Sequence, residues 1–174
     1  IRPDHVEARN NLGVIYDRRQ QYDLAISEYQ AAIKSNPQYA KAYYNLGVSY
    51  EAKSLANEAL SAYQNAIRLQ PDHGDAYNRL AGLYEKQEQY DLAAETYIKS
   101  LQIKPNNWNI CNNLGVVYFK QKQYDKALDQ FQTAIRLKPD FADAYYNLAI
   151  VYTQKEMPEK AIEADEQYQK LQKK

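Results

Sequence analysis

Self-similarity governs this sequence. The run Asn11-Leu12-Gly13 returns as Asn45-Leu46-Gly47 and Asn113-Leu114-Gly115, and in altered form as Asn147-Leu148-Ala149, always 34 residues or a multiple of 34 apart; Arg79-Leu80-Ala81 fills the remaining register. Counted from Val6, five repeats follow: 6–39, 40–73, 74–107, 108–141 and 142–174. A fixed period of this length means that each unit is one supersecondary element that cannot bury its apolar face alone, so neighbours must stack to make a core.

Several columns align across the repeats. Leu12, Leu46, Leu80, Leu114 and Leu148 form one, and Tyr16, Tyr50, Tyr84, Tyr118 and Tyr152 follow four residues on. In the second half of each unit stand Ala25, Ala59, Ala93, Ala127 and Ala161, and the first four precede Tyr29, Tyr63, Tyr97 and Phe131 by four. Residues four apart share one face of a helix, so each unit reads as two amphipathic helices of roughly 12–14 residues. Small residues such as Gly13 and Ala25 let the two helices approach, and tyrosine rings fill the space between. The Asp of Tyr22-Asp23, Tyr90-Asp91 and Tyr124-Asp125 falls where the second helix starts and is expected to accept from its free N–H groups. Pro37, Pro71, Pro105 and Pro139 close the units, since proline lacks the N–H and disfavours helix in the residue before it. Pro3 occupies the same register, so the first residues read as the tail of an earlier repeat. Glycine and proline are scarce, at five and six residues, while tyrosine reaches eighteen, which suits a mostly helical chain rich in ring packing.

A 34-residue unit with Leu-Gly, Tyr, Ala, aromatic, Ala and Pro at these offsets resembles the tetratricopeptide repeat, and the resemblance covers essentially the whole chain. It implies an all-α fold, a right-handed superhelical solenoid of antiparallel helix pairs, with the first helix of each pair lining a concave surface that binds peptides or partner proteins. This sequence departs from the pattern near the start of the first helix, where Tyr43, Tyr77 and Tyr145 stand in three repeats but Arg9 and Cys111 in the others. The fifth repeat fails in its second half: Asp165 replaces the aromatic, Tyr168 the small residue, and Lys173 stands in the proline register. A polar last helix suits the end of a stack. The other end, around Ala8 and Ile15, is expected to expose a stacking face, as if cut from a longer array.

With Leu, Gly and Tyr assigned to the core, the inner face of the first helices is left by elimination. It carries Asn11, Asn45, Arg79, Asn113 and Asn147 in one column, with Tyr44, Asn78, Asn112 and Tyr146 in the column beside it, where Asn10 stands in the first repeat. Val14, Val48, Gly82, Val116 and Ile150 lie behind. Further along are Asp17, Glu51, Glu85, Phe119 and Thr153, with Lys86 and Lys120 adjacent. A side-chain amide has two donors and an acceptor, the groups a peptide backbone seeks, so one amide per repeat can clamp an extended peptide at regular intervals. In this column the chain resembles the repeat domain of protein O-linked N-acetylglucosamine transferases and related bacterial arrays, where the resemblance implies an asparagine ladder for substrate polypeptides; Arg79 interrupts it. The alternative is that the same amides bridge neighbouring helices. Rigid rings at Tyr44, Tyr146 and Phe119 are candidate anchors; Trp108 reads as helix-start packing. A carboxylate clamp of the kind that grips chain termini lacks its lysines here, with Val14, Val48 and Asp75 in the registers concerned.

Charge and chemistry narrow the function classes. Twenty-two basic residues balance 22 acidic ones, so no basic excess points to nucleic acid. No apolar run reaches the roughly 20 residues of a membrane span, and no cofactor or metal spacing is evident. His5 and His73 share a turn register two repeats apart. The single cysteine, Cys111, forbids an internal disulfide, fits a reducing intracellular compartment and sits in a core column. Nothing pairs a nucleophile with a base. The expected function is therefore a non-catalytic protein–protein interaction scaffold holding an extended peptide or a partner protein. The alternatives are a substrate-targeting arm of a larger enzyme such as a glycosyltransferase, and a structural spacer that self-associates end to end.

Overall fold

The computed structural model describes residues 4–173, and of the first two of these only the backbone. The Pro3 boundary, the side chain of His5 and Lys174 thus lie outside what is described. The described residues form ten α-helices and no strand: α1 (Asp4–Arg18), α2 (Tyr22–Ser35), α3 (Ala40–Ala52), α4 (Ala56–Leu69), α5 (Gly74–Lys86), α6 (Tyr90–Ile103), α7 (Trp108–Lys120), α8 (Tyr124–Leu137), α9 (Ala142–Gln154) and α10 (Pro158–Gln172). Each repeat is one pair, A then B. None of these helices is long and apolar enough to cross a membrane.

The turns explain why the pairs form. From A to B, one residue per repeat adopts a left-handed conformation: Gln20, Ser54, Glu88, Lys122 and Glu156, at φ between 56° and 60°. Around it the backbone makes the paired bonds of a Schellman stop, as where Gln21 N–H donates to Tyr16 O at 2.9 Å and Gln20 N–H to Asp17 O at 2.8 Å. From B to A, the residue before each proline is extended, with Asn36 at φ −144° and Lys138 at φ −142°; the proline ring excludes helix there.

The expected aspartate caps do not form. The N-caps of α2, α6 and α8 are Gln21, Gln89 and Gln123, without side-chain bonds. Each Asp is already the second residue of its helix, so its carboxylate lies past the cap position. It bonds forward instead, to the end of the next A helix: Asp23 pairs with Lys53, Asp125 with Lys155, and Asp91 accepts from Gln121 Nε2 at 2.6 Å. Only the first-turn charge complements the helix dipole as anticipated. In α7 the cap is Asn107, whose Oδ1 accepts from the N–H groups of Asn109 and Ile110.

Contacts divide the chain into two compact units, one ending at Leu83 and one starting at Tyr84, within α5. In the first unit Ala25, Tyr29, Leu46 and Ala62 share a core; in the second, Ala127, Phe131, Leu148, Val151, Tyr152 and Ala164 do. The Leu column therefore packs back on the preceding repeat. Leu46, Leu80, Leu114 and Leu148 are buried, but Leu12, with no described repeat ahead of it, is 37 % exposed, and so leaves the core expected of its column. The Tyr column is half-buried except at Tyr152. Between A and B the approach is close. A Cβ added at Gly13, Gly47 or Gly115 would lie 2.5–2.6 Å from the ring of Tyr29, Tyr63 or Phe131.

Candidate functional site

Within each unit the A helices touch one another, α1 with α3 and α7 with α9, while no comparable contact joins α2 to α4 or α8 to α10 among the described residues. The A helices thus approach one another more closely than the B helices do in each unit, and the polar columns of the sequence fall on them.

The asparagines are cross-linked. Asn45 Nδ2 donates to Asn10 Oδ1 at 2.9 Å, and in the other unit Asn147 Nδ2 donates to Asn112 Oδ1 at 3.0 Å. Asn10 and Asn112 are buried, so Asn112 serves the surface through Asn147 and not by direct exposure; Asn45, Asn113 and Asn147 are half-buried and Asn11 is exposed. One N–H of Asn45 and of Asn147 is committed to the neighbouring helix, and the carbonyl oxygen and second N–H remain. Bridging, one of the two alternatives at the level of sequence, thus takes one N–H of each of these two amides. Asn78 is half-buried, with its Oδ1 enclosed and without a partner.

Arg79 replaces the amide with a tethered cation. Its guanidinium lies 3.5 Å from Glu51. Tyr44 in turn packs its ring 4.6 Å from His73 and 5.9 Å from Tyr63, half-buried and not projecting freely. Tyr146 is 49 % exposed and leans on Tyr168, ring centres 5.3 Å apart. Lys86 and Lys120 are exposed and Phe119 half-buried. Trp108 packs 4.5 Å from Phe141 beneath the Lys138 ammonium. Cys111 is buried, which pushes its thiol pKa up.

The acidic column has a role that the sequence reading missed. The Tyr29 hydroxyl donates to Asp17 at 2.7 Å, Tyr63 to Glu51 at 2.9 Å and Tyr97 to Glu85 at 3.0 Å; Asp17 also accepts from Ser49 Oγ at 2.7 Å. These rings are fully enclosed, and the acid receives the one polar atom that each must place. Burial, then the adjacent carboxylate, pushes the Tyr29 and Tyr63 phenols far above their ordinary range. Burial also raises Glu85, against the opposing pull of Tyr97, Lys120 and Lys86. The signal was present in the sequence: Asp17, Glu51 and Glu85 each precede a tyrosine by twelve, and where the acid is lost, at Phe119, the aromatic is Phe131.

Comparison with known proteins accords with this architecture. A family model described as "TPR repeat" matches residues 18–54, 83–122 and 117–155, and models described as "Tetratricopeptide repeat" match 40–73, 62–95 and 142–174. No curated protein matches. Among solved structures, MamA residues 41 to the end from Desulfovibrio magneticus RS-1 is similar at a TM-score of 0.92 and 19% identity, over 98% of this chain and 96% of that one. A second MamA structure gives 0.91 and 20%, over 98% and 93%. YrrB, described as a TPR protein with an unusual peptide-binding site, gives 0.85 and 27%, over 94% and 84%.

Proposed function

This chain belongs to the tetratricopeptide repeat family, and from that premise we propose that the A-helix face of each of its units binds extended polypeptide, without catalysis, by reading its backbone. The observation that carries the proposal is the pair of inter-repeat ties, Asn45 to Asn10 and Asn147 to Asn112. Each fixes an amide in place while leaving a donor and an acceptor on it, so little side-chain entropy is lost when a peptide group docks. Asn11 and Asn113 add untied amides, and Arg79 adds a donor for a carbonyl or carboxylate. That YrrB, at 27% identity, is described as having a peptide-binding site is in keeping with this reading.

Each amide–backbone bond contributes about 0.5–1.5 kcal/mol net, so a few of them, less the cost of ordering the peptide, give affinity of about micromolar order with little sequence preference. The test is an unbiased peptide array probed with the wild-type chain and with Asn11→Ala/Asn113→Ala, which breaks no tie between helices. Asn45→Ala and Asn147→Ala form a separate set, because each also strips the partner from a buried Asn oxygen, at about 1–3 kcal/mol of stability. Broad binding that falls in Asn11→Ala/Asn113→Ala, at unchanged helical circular dichroism, is the expected result. Full binding by that variant and by folded Asn45→Ala and Asn147→Ala would sink the backbone-reading proposal.

A further inference from the structure

The fourth repeat breaks the inner-face pattern at two linked positions. Where the first three repeats place an acid beneath a tyrosine hydroxyl, it has Phe119 and Phe131. The double replacement removes a charge and the hydroxyl that the charge served. In their place is a depression of about 180 Å³ lined by Val116, Phe119, Phe131, Ile150, Asn147 and Lys120, all within the second unit.

We propose that this depression is a specificity pocket that takes one apolar side chain, of leucine to phenylalanine size, from an extended peptide carrying an acidic residue beside it. The inference rests on the peptide-binding reading of the A-helix face and adds side-chain selectivity to it. Size is the first argument: the volume is below the roughly 300–1,000 Å³ of pockets for whole small molecules, and suits a single side chain. Chemistry is the second. Four of the six lining residues are apolar, so water there has few partners and an apolar group displaces it favourably. Asn147, tied by one N–H to Asn112, offers its remaining amide atoms to the backbone on either side of the inserted residue. Charge is the third. Lys120, exposed, is the one charged group of the lining. The acid that this register carries in the first three repeats is absent from the lining, and Glu85, within electrostatic reach of Lys120, lies outside it. A carboxylate next to the inserted side chain complements that ammonium; a lysine there is repelled.

The experiment is a peptide array in which one central residue is varied among Leu, Phe, Ala and Gln, with Asp or Lys as its neighbour. Wild type is compared with Phe119→Glu/Phe131→Tyr, Lys120→Glu and Asn11→Ala/Asn113→Ala. The first variant installs the Glu–Tyr pair that already packs in repeats two and three; should it lose helical signal, Ile150→Thr gives the same readout. Wild type is expected to favour Leu or Phe over Ala about tenfold or more. Phe119→Glu/Phe131→Tyr should bind all central residues alike, and Lys120→Glu should switch the neighbour preference from Asp to Lys. Peptide binding with no apolar preference, or with a preference that survives the pocket substitutions, overturns the pocket and leaves the backbone-reading face standing. A pocket-dependent preference with full binding by Asn11→Ala/Asn113→Ala supports the pocket and removes the untied amides from the backbone reading. Absence of binding to every peptide overturns both.

Discussion

An enclosed phenol must place its hydroxyl, and in three repeats it does so against a carboxylate that is thereby drawn out of water. The two groups answer differently to pH. Burial raises the Glu85 carboxyl above its unfolded value, so the fold favours its protonated form. That contribution to stability is complete below the unfolded pKa of about 4.3 and is lost as pH rises through the higher folded value. At neutral pH the ionised Glu85 is therefore a cost that Gln would not carry, and Gln keeps an acceptor for Tyr97. Glu85→Gln is expected to match or exceed wild type in urea midpoint at pH 7, with the advantage shrinking towards pH 4. An advantage that grows on acidification would contradict the desolvation argument. For Tyr29 and Tyr63 the raised phenol pKa means stability held up to about pH 10 and lost above it.

At the scale of the helix pair, the A-to-B turn places a non-glycine residue in left-handed conformation once per repeat. An L-residue there carries about 1–2 kcal/mol of steric cost, which glycine avoids at some loss of unfolded-chain entropy. Ser54→Gly and Lys122→Gly are each expected to stabilise by about 0.5–1 kcal/mol, read as a higher urea midpoint at unchanged m-value; a lower midpoint would mean that the side chains there hold the turn. These turns also mark what was legible in advance. Period, helix pairing, proline stops and the small-residue columns could be read because they recur as residue types. The Schellman stop could not, because Gln, Ser, Glu, Lys and Glu occupy its left-handed position and none announces that geometry. The inner face was half legible. Its columns fell on the A helices as expected, but sequence could not tell that Asn112 would be enclosed beneath Asn147, that Arg79 would be tied to Glu51, or that the acids belonged to buried tyrosines. Each of these depends on which side chain of the next repeat reaches across, a geometric fact and not a compositional one.

For the molecule as a whole, stability is a sum of repeats and of the faces between them, so protection should follow how much each helix buries. The last helix, α10, buries only Ala164 and leaves Ile162 60 % exposed. At the other end α1 leaves Leu12 and Ile15 exposed, at 37 % and 46 %. By contrast α7 buries Ile110, Cys111, Asn112, Leu114, Gly115 and Val117. Native-state hydrogen exchange by mass spectrometry is therefore expected to rank α10 fastest, α1 next, and α7 among the slowest, by orders of magnitude in rate because each 1.4 kcal/mol of opening free energy is about tenfold. Concentration decides between an isolated stack and one that joins its neighbours. If exchange in α1 and α10 is the same at dilute and at high protein concentration, the exposed Leu12, Ile15 and Ile162 meet only water. If both slow together as concentration rises, and Ile162→Gln abolishes the slowing, these apolar ends pair between copies, and the end-to-end spacer reading gains its support. Protection of α10 equal to that of α7 at every dilution would contradict the additive picture itself, since a helix with one buried residue has far less packing to hold it than one with six.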